Sequence, residues 1–363
     1  MWLRLRDLTH IYYELNSYLW SLDSLLLAES IITKANLKKL FILIVIGIVA
    51  NLIFVLYKSD ANLLNHLCKL KIYHFGIIIL FVFLYWSGHA LRLMIWTRFL
   101  DTPMSFKDGY QIAAFTDLGA AVTPTLIGGG PVKLGLLMQK GISAGKAGFL
   151  TILGGTEDTI MYISAIFLSV YFAHESADKI ASSVLSTLRQ HWWKVIIGVI
   201  IFIIVRRLLR SFEALQLRNL IPLRYKKAYV NFIKGFQTAL SEMLDCLKLI
   251  LREGKLRFVL SFSILLLQWT MKFSILFVLL HAFGLKLDTV ITYLNQWIVY
   301  LSMMFIPTPG ATGGAETLFY YIFSDLIPES LLPIVTTLWR FGTYYLFLIL
   351  AVLLLQVQLF VRR

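Results

Sequence analysis

Long apolar stretches constrain what this chain can fold into. A helix needs about 20 mostly apolar residues to cross the hydrocarbon core of a bilayer. Stretches close to this length occur at residues 37–57, 75–96, 192–205, 258–283 and 338–361. Hydrophobic residues make up 58% of the chain and charged residues 15%, whereas a soluble domain carries about 25% charged residues. The sequence therefore predicts an all-α, polytopic transmembrane helical bundle and excludes a soluble enzyme of ordinary composition.

Three further apolar segments are interrupted. Residues 109–127, 159–173 and 289–306 adjoin Gly/Pro motifs or charged side chains. Backbone groups freed by such breaks must find partners in protein or water, because lipid offers none. We therefore expect about 8 to 10 membrane segments, with two broken or re-entrant Gly-Pro motifs that point inward, toward a site.

The excess of positive charge predicts membrane topology. The net charge is +14, and residues 206–257 alone hold twelve Lys/Arg against four Asp/Glu. Lys and Arg concentrate in cytoplasmic segments, so a membrane surface is the expected partner of this charge and nucleic acid is not. Basic residues near both ends predict that both termini lie in the cytoplasm. The predicted divisions are an interfacial segment at 1–36, membrane halves at 37–205 and 258–361, and a basic amphipathic segment at 206–257.

Two motifs indicate an internal repeat. In residues 123–133 and 307–316, a proline (Pro124, Pro309) is followed four and five residues later by a Gly-Gly pair. A Trp lies 42 residues before the first pair and 44 before the second. A charged residue follows 29 and 27 residues after the two pairs. The charge distribution gives the halves opposite orientations, which predicts an inverted repeat with a binding site near the bilayer midplane.

Charged residues within the apolar segments form the candidate site. Burying each charge in a membrane costs at least about 2.5 kcal/mol, so these groups should face a cavity or form ion pairs. Two ion pairs are candidates, Glu157 with Arg340 and Glu316 with Lys133. Alternatively, Asp158 stabilises the N-terminus of a helix that Thr156 caps. The predicted substrate-binding residues are Pro124, Gly128, Gly129, Gly130, Lys133, Pro309, Gly310, Gly313, Gly314, Glu316 and Arg340. Asp117, Glu157 and Asp158 are candidates for proton or ion coupling, and Lys272 stands alone in its span.

Signatures of soluble catalysis are absent from the sequence. It contains no HExxH, GxSxG or P-loop motif, and its two cysteines are isolated. Its histidines are scattered, and we interpret them as interfacial. No metal and no cofactor are therefore expected.

The two motifs resemble those of a flippase-like integral membrane family that includes the transmembrane region of lysylphosphatidylglycerol synthase. The first family motif corresponds to Thr123, Pro124, Gly128, Gly129, Pro131 and Lys133, and the second to Pro307, Pro309, Gly310, Gly313 and Glu316. The resemblance covers roughly residues 37–360. Many relatives carry an acid where this chain has Gly130, so that Glu157 or Asp158 would have to supply one.

The resemblance implies a protein of the cell's inner (cytoplasmic) membrane that moves or presents a polar lipid between leaflets. Synthase members carry a soluble aminoacyl transferase domain after the membrane region, whereas this sequence ends at Arg363. We therefore expect a lipid translocator for a phosphate-bearing headgroup, with a separate lipid-synthesising enzyme as a possible partner. Two alternatives stay open: a membrane-embedded transferase acting on a lipid-linked substrate, and a non-transporting partner of a lipid synthase. The sequence leaves the oligomeric state undefined.

Overall fold

The computed structural model describes residues 70–123, 128–172, 223–306 and 308–361, with side chains except at 223–234 and 359–361. Several predictions fall outside these residues. They are the interfacial segment 1–36, the spans 37–57 and 192–205, and Pro124 of the first motif. The boundaries predicted at residues 37 and 206 are untested for the same reason.

Every regular element of the described residues is a helix, which confirms the all-α prediction. The helices, in chain order, are α1 Ile72–Phe99, α2 Phe106–Ala121, α3 Gly129–Gln139, α4 Ala144–Phe172, α5 Leu223–Glu253, α6 Lys255–Ala282, α7 Thr289–Met303, α8 Gly314–Phe323, α9 Leu332–Arg340 and α10 Leu346–Val361. A π-helical turn, Phe341–Tyr345, joins α9 to α10.

Three helical segments among the described residues are long and apolar enough to cross a membrane. They are Ile72–Phe99, Lys255–Ala282 and Leu332–Gln358, the last running through α9, the π turn and α10. These segments contain most of the predicted spans 75–96, 258–283 and 338–361. The total of about 8 to 10 membrane segments stays a prediction.

The helix order supports the internal repeat. The lengths of α1 to α4 are 28, 16, 11 and 29 residues. The second series has similar lengths in the same order, 28, 15 and 10 residues for α6 to α8 and 27 residues for the segment Leu332–Gln358. The first helices of the two series cross antiparallel. Trp96 Nε1 donates to Ser261 Oγ at 3.0 Å near one end, while Tyr85 O, earlier in α1, accepts from Gln268 Nε2, later in α6, at 3.0 Å. Antiparallel counterparts are what an inverted repeat requires.

Both Gly-Pro motifs interrupt helices, as predicted. In the first half α2 ends at Ala121 and α3 begins at Gly129; in the second, α7 ends at Met303 and α8 begins at Gly314.

An ion pair between Lys140 and Asp108 connects the end of α3 to the start of α2. Desolvation acts to raise the pKa of Asp108, but hydrogen bonds from Lys140 and Ser105 outweigh it and hold that pKa below its ordinary value.

One predicted helix boundary is wrong. The fourth helix begins at Ala144 and not near residue 159, so Glu157 and Asp158 lie in its interior and Thr156 caps nothing. The Thr156 hydroxyl instead donates to the Ile152 carbonyl at 2.9 Å, inside the helix. The helix accommodates both acids because the Arg92 guanidinium of α1 lies beside them.

Residues 223–253 of the predicted amphipathic segment form the helix α5, and residues 206–222 lie outside the described residues. Large apolar side chains are exposed along one stripe, at Phe236, Leu240, Leu244, Leu247 and Leu251. Its other face packs on the start of α4, where Gly145 allows a close approach. A Cβ on Gly145 would lie 2.5 Å from Glu242 Cβ and 2.6 Å from the Ala239 carbonyl oxygen.

This close approach predicts a difference between two glycines of α4. Gly145→Ala places a methyl group against the α5 backbone, and we expect it to lower the free energy of unfolding by about 1–3 kcal/mol through overpacking. Gly148→Ala is the matched control, because a Cβ there meets nothing within 4 Å. It should be neutral or stabilising by up to about 1 kcal/mol. Thermal unfolding in detergent measures both, and equal effects would contradict the packing.

Candidate functional site

A cavity of about 450 Å³ lies between the two halves. Gly129, Gly130 and Lys133 line it from the first motif, and Gly310 and Arg340 line it from the second half. The structure thus brings both motifs to one site, although about 180 residues separate them in the sequence.

The first motif packs α3 closely against α2. Gly129 has no room for a side chain, because a Cβ there would lie 3.1 Å from the Thr116 carbonyl oxygen. The Gly128 N–H donates to Thr123 Oγ1 at 2.8 Å. One turn into α3, Lys133 is buried and its Nζ would lie 2.7 Å from a Cβ on Gly154. Glycine at position 154 therefore gives the Lys133 ammonium its space on the cavity wall.

The second motif is a strained loop ahead of α8. Gly310, Ala311 and Gly313 all adopt positive φ, at 59°, 55° and 86°. A positive φ is unusual for a residue with a side chain, such as Ala311, and it persists only where the surrounding structure enforces it. The Gly310 position also has no space for a side chain, because a Cβ there would overlap the Tyr344 hydroxyl.

Arg340 holds this loop in place. Its Nε donates to Glu316 Oε1 at 3.1 Å, and its guanidinium also donates to the Gly310 carbonyl. Glu316 Oε2 accepts from the Gly313 N–H at 2.8 Å, at the start of α8. The guanidinium stacks 4.1 Å from the ring centre of Tyr344, whose hydroxyl donates to the Ala121 carbonyl at 3.0 Å. Arg340 thus links the second motif to the end of α2.

A second buried ion pair crosses the first half. Arg92 of α1 pairs with Glu157 of α4, and both side chains are at most 5% exposed. Arg92 Nη1 donates to Gln268 Oε1 at 3.2 Å, and Trp96 Nε1 lies 3.2 Å from Glu157 Oε1. Asp158 approaches the same guanidinium at 3.9 Å. These contacts join α1, α4 and α6 at one wall of the cavity.

Lys272 lies in an aromatic cage on the cavity wall. Its Nζ is 5.1–5.3 Å from the ring centres of four residues on four elements, Tyr85, Trp269, Tyr300 and Phe347. Within the described ranges, no carboxylate oxygen comes within 4 Å of Nζ of either Lys272 or Lys133. Both ammonium groups can therefore bind an anion without first breaking an ion pair.

Polar groups also line the cavity. Asp117 accepts from Trp86 Nε1 at 2.9 Å, so the indole fixes this carboxylate at the cavity. Thr116 Oγ1 is buried and has no hydrogen-bond partner in the part of the chain that the structure describes. The charged groups in and beside the cavity are balanced, with Arg92, Lys133, Lys272 and Arg340 against Asp117, Glu157, Asp158 and Glu316.

The predicted residues divide into three groups. Those that line the cavity are Gly129, Gly130, Lys133, Gly310, Arg340, Asp117 and Asp158. Those that lie next to the lining residues are Gly128, Glu157, Gly314 and Glu316, and those that are exposed are Pro309 and Gly313. Pro124 lies outside the described residues. A role for these residues in binding substrate stays a prediction.

Both predicted ion pairings are wrong. Glu157 pairs with Arg92 rather than Arg340, and Glu316 pairs with Arg340 rather than Lys133. The register of α1 against α4 brings the first pair together. The second pair forms because the first turn of α8, which carries Glu316, faces the end of α9, which carries Arg340.

Sequence reasoning missed several cavity residues. Arg92 lies inside the predicted span 75–96, and its charge in an apolar stretch was a usable signal, the same one that identified Lys133. His89 lies in the interior of α1 and lines the cavity, so its interpretation as an interfacial histidine is wrong. Gln268 and Tyr344 gave no signal, because neither is charged.

Apolar helices that enclose a polar, charge-balanced cavity define a helical integral membrane protein. The sequence model of the family described as "Lysylphosphatidylglycerol synthase TM region" matches residues 40–351. The chain therefore belongs to this family, which confirms the resemblance seen in the two motifs. A "UPF0104 membrane protein" from Archaeoglobus fulgidus is 24% identical over 270 residues, covering 72% of this chain and 79% of that relative.

The buried pair of Arg92 and Glu157 generates a stability prediction. Glu157→Gln removes the nearest counter-charge of the buried guanidinium and leaves Asp158 beside it at 3.9 Å, so it should lower the free energy of unfolding by about 3 kcal/mol, the lower end for a broken buried pair. The double variant Arg92→Met, Glu157→Leu should recover part of that loss, since no buried charge is stranded. Denaturant titrations of the purified protein in detergent measure these differences.

The matched control removes a charge from an exposed pair. Asp245 and Lys248 form such a pair on α5, with both side chains more than 70% exposed, and Asp245→Asn should change stability by no more than about 1 kcal/mol. An effect of Glu157→Gln as small as that of the control would contradict a structural role for the buried pair.

Proposed function

We propose that this chain translocates a membrane lipid whose polar headgroup carries a phosphate. The observation that carries the proposal is a cavity at the two broken-helix motifs that contains Lys133 and Lys272, neither of which has a carboxylate oxygen within 4 Å among the described residues. Family membership supports a lipid-related role in the membrane. The phosphate would bind between Lys133 and Lys272, while the acyl chains stay in the surrounding lipid.

The residues around the two lysines suit a phosphate. The first turn of α3 lines the cavity with Gly129 and Gly130, and helix N-termini present free N–H groups and a positive dipole end to anions. Arg340 is held by Glu316 and Gly310, so its guanidinium contributes a fixed positive field. The Thr116 hydroxyl supplies a further donor that has no hydrogen-bond partner among the residues that the structure describes.

The energy source would be the lipid gradient itself or an ion gradient, since the sequence contains no nucleotide-binding motif. Among the predicted coupling residues, Asp117 and Asp158 line the cavity, whereas Glu157 is held in an ion pair. Protonation of Asp117 or Asp158 would change the charge balance of the cavity as the headgroup enters or leaves. We propose these two carboxylates as the coupling groups.

The proposed topology follows the positive charge. Residues 206–257 and both termini would face the cytoplasm, in the cell's inner membrane. The exposed apolar stripe of α5 would then lie on the cytoplasmic leaflet, with its basic residues at the headgroups.

A transfer assay in reconstituted vesicles tests the proposed function. Wild-type protein should accelerate leaflet exchange of a fluorescent phosphatidylglycerol analogue over protein-free vesicles. Lys133→Gln and Lys272→Gln should each slow this exchange about tenfold or more, because each removes a charge-assisted contact to the phosphate. Lys286→Gln is the matched control, since Lys286 is exposed between α6 and α7.

Two outcomes would contradict translocation. One is wild-type exchange no faster than in protein-free vesicles, and the other is unchanged exchange in both lysine variants with folding intact. Mass spectrometry of the vesicle lipids distinguishes the transferase alternative, which requires a lipid product of altered mass. A purely partner role would yield neither exchange nor product.

A further inference from the structure

A second groove, of about 410 Å³, lies on the outer face of the α1–α6 pair. Two arginines, Arg98 and Arg257, stand in it together with six apolar residues. Arg98 belongs to the last turn of α1 and Arg257 to the first turn of α6. Because the two helices are antiparallel, both guanidinium groups lie at the same end of the pair.

Both arginines are available to a ligand. Both residues are exposed, and neither has a carboxylate within 4 Å among the residues that the structure describes. The Arg257 guanidinium stacks 4.4 Å from the ring centre of Phe99, and its Nη1 contacts the Glu253 carbonyl at 3.4 Å. The stacking holds one cation at the edge of the groove.

The floor of the groove is apolar and follows the helix axes. It extends from the arginines to Leu91 and Ile264, and Ile95 and Leu260 lie between. The seven steps from Leu91 to Arg98 correspond to a length of about 10 Å along α1. Leu91 and Leu260 are 43% and 52% exposed, so the floor faces lipid in a membrane-spanning pair of helices.

This groove is separate from the central cavity. Leu91, Ile95 and Arg98 follow one face of α1 at helical spacing, while His89 and Arg92 on another face line the cavity. The two sites share no lining residue. A ligand in the groove would therefore not need to enter the site of the proposed function.

We propose that the groove binds an anionic phospholipid, with its phosphate between Arg98 and Arg257 and part of one acyl chain along the apolar floor. Paired guanidinium groups are suited to a phosphodiester, which they bind through charge-assisted hydrogen bonds. The apolar floor selects a lipid over a free phosphate, because only a lipid covers it. A net anionic headgroup is favoured over a zwitterionic one, whose ammonium would meet two positive charges.

Bound there, the lipid stabilises the α1–α6 crossing. Both helices line the central cavity, through Arg92 on α1 and Lys272 on α6. A lipid that contacts the outer face of both helices holds their ends together independently of what the cavity contains.

Photo-crosslinking with a diazirine-tagged phosphatidylglycerol tests the proposal in reconstituted full-length protein. Crosslinked peptides should map to 91–99 and 257–264 about tenfold more strongly than with phosphatidylcholine bearing the same tag. The double variant Arg98→Gln, Arg257→Gln should lower the phosphatidylglycerol signal about tenfold. Arg252→Gln, an exposed arginine outside the groove, should leave it unchanged.

Several results would overturn the proposal. They are equal labelling by the two lipids, an unchanged signal in the double variant, or loss of labelling when millimolar inorganic phosphate is added. Each arginine is also replaced singly, and thermal unfolding confirms that each variant folds. The result does not depend on the proposed function, because the two sites are told apart by residue: groove labelling falls on Leu91, Ile95 and Leu260, whereas labelling from the central cavity falls on Arg92 and also around Lys133 and Gly154.

Discussion

The buried ion pair between Arg340 and Glu316 is the interaction on which the second half of the structure depends. The guanidinium also binds the Gly310 carbonyl and stacks on Tyr344, so one side chain orders a loop with three positive φ angles and connects it to α2. In an apolar chain this charge is tolerable only because its partner is equally buried. Arg92 and Glu157 have the same role in the first half. Together the two pairs fix the walls between which the cavity lies.

The architecture was largely predictable from the sequence, whereas the pairing within the site was not. Apolar length and Gly/Pro breaks act locally, so they indicated the long helices and both motifs. Partner choice depends on helix register: Glu157 meets Arg92 across 65 residues, and Glu316 meets Arg340 across 24. The cage of Lys272 could not be foreseen either, because its four rings come from α1, α6, α7 and α10. The sequence predicts too late a start for α4, because adjacent acids are typical of the first turn of a helix. Glu157 and Asp158 instead lie in the helix interior, beside Arg92.

The distribution of charge explains how a neutral cavity can still favour an anion. Two of its cations are held by carboxylates and fix the fold, while Lys133 and Lys272 have no carboxylate within 4 Å in the described ranges. Asp117 is held by an indole N–H. Positive charge is therefore available to a ligand where the two motifs meet. The outer groove repeats this chemistry at the membrane-facing surface, with arginines in place of lysines.

The most direct test of a phosphate site between the motifs is an experimental structure of the protein in a lipid nanodisc that contains phosphatidylglycerol. The account predicts phosphate density within hydrogen-bonding distance of the Lys133 and Lys272 ammonium groups, about 2.7–3.2 Å, with acyl chains leading out to the bilayer. A cavity that contains only water, or a headgroup whose ammonium or hydroxyl rather than its phosphate faces the two lysines, would contradict it.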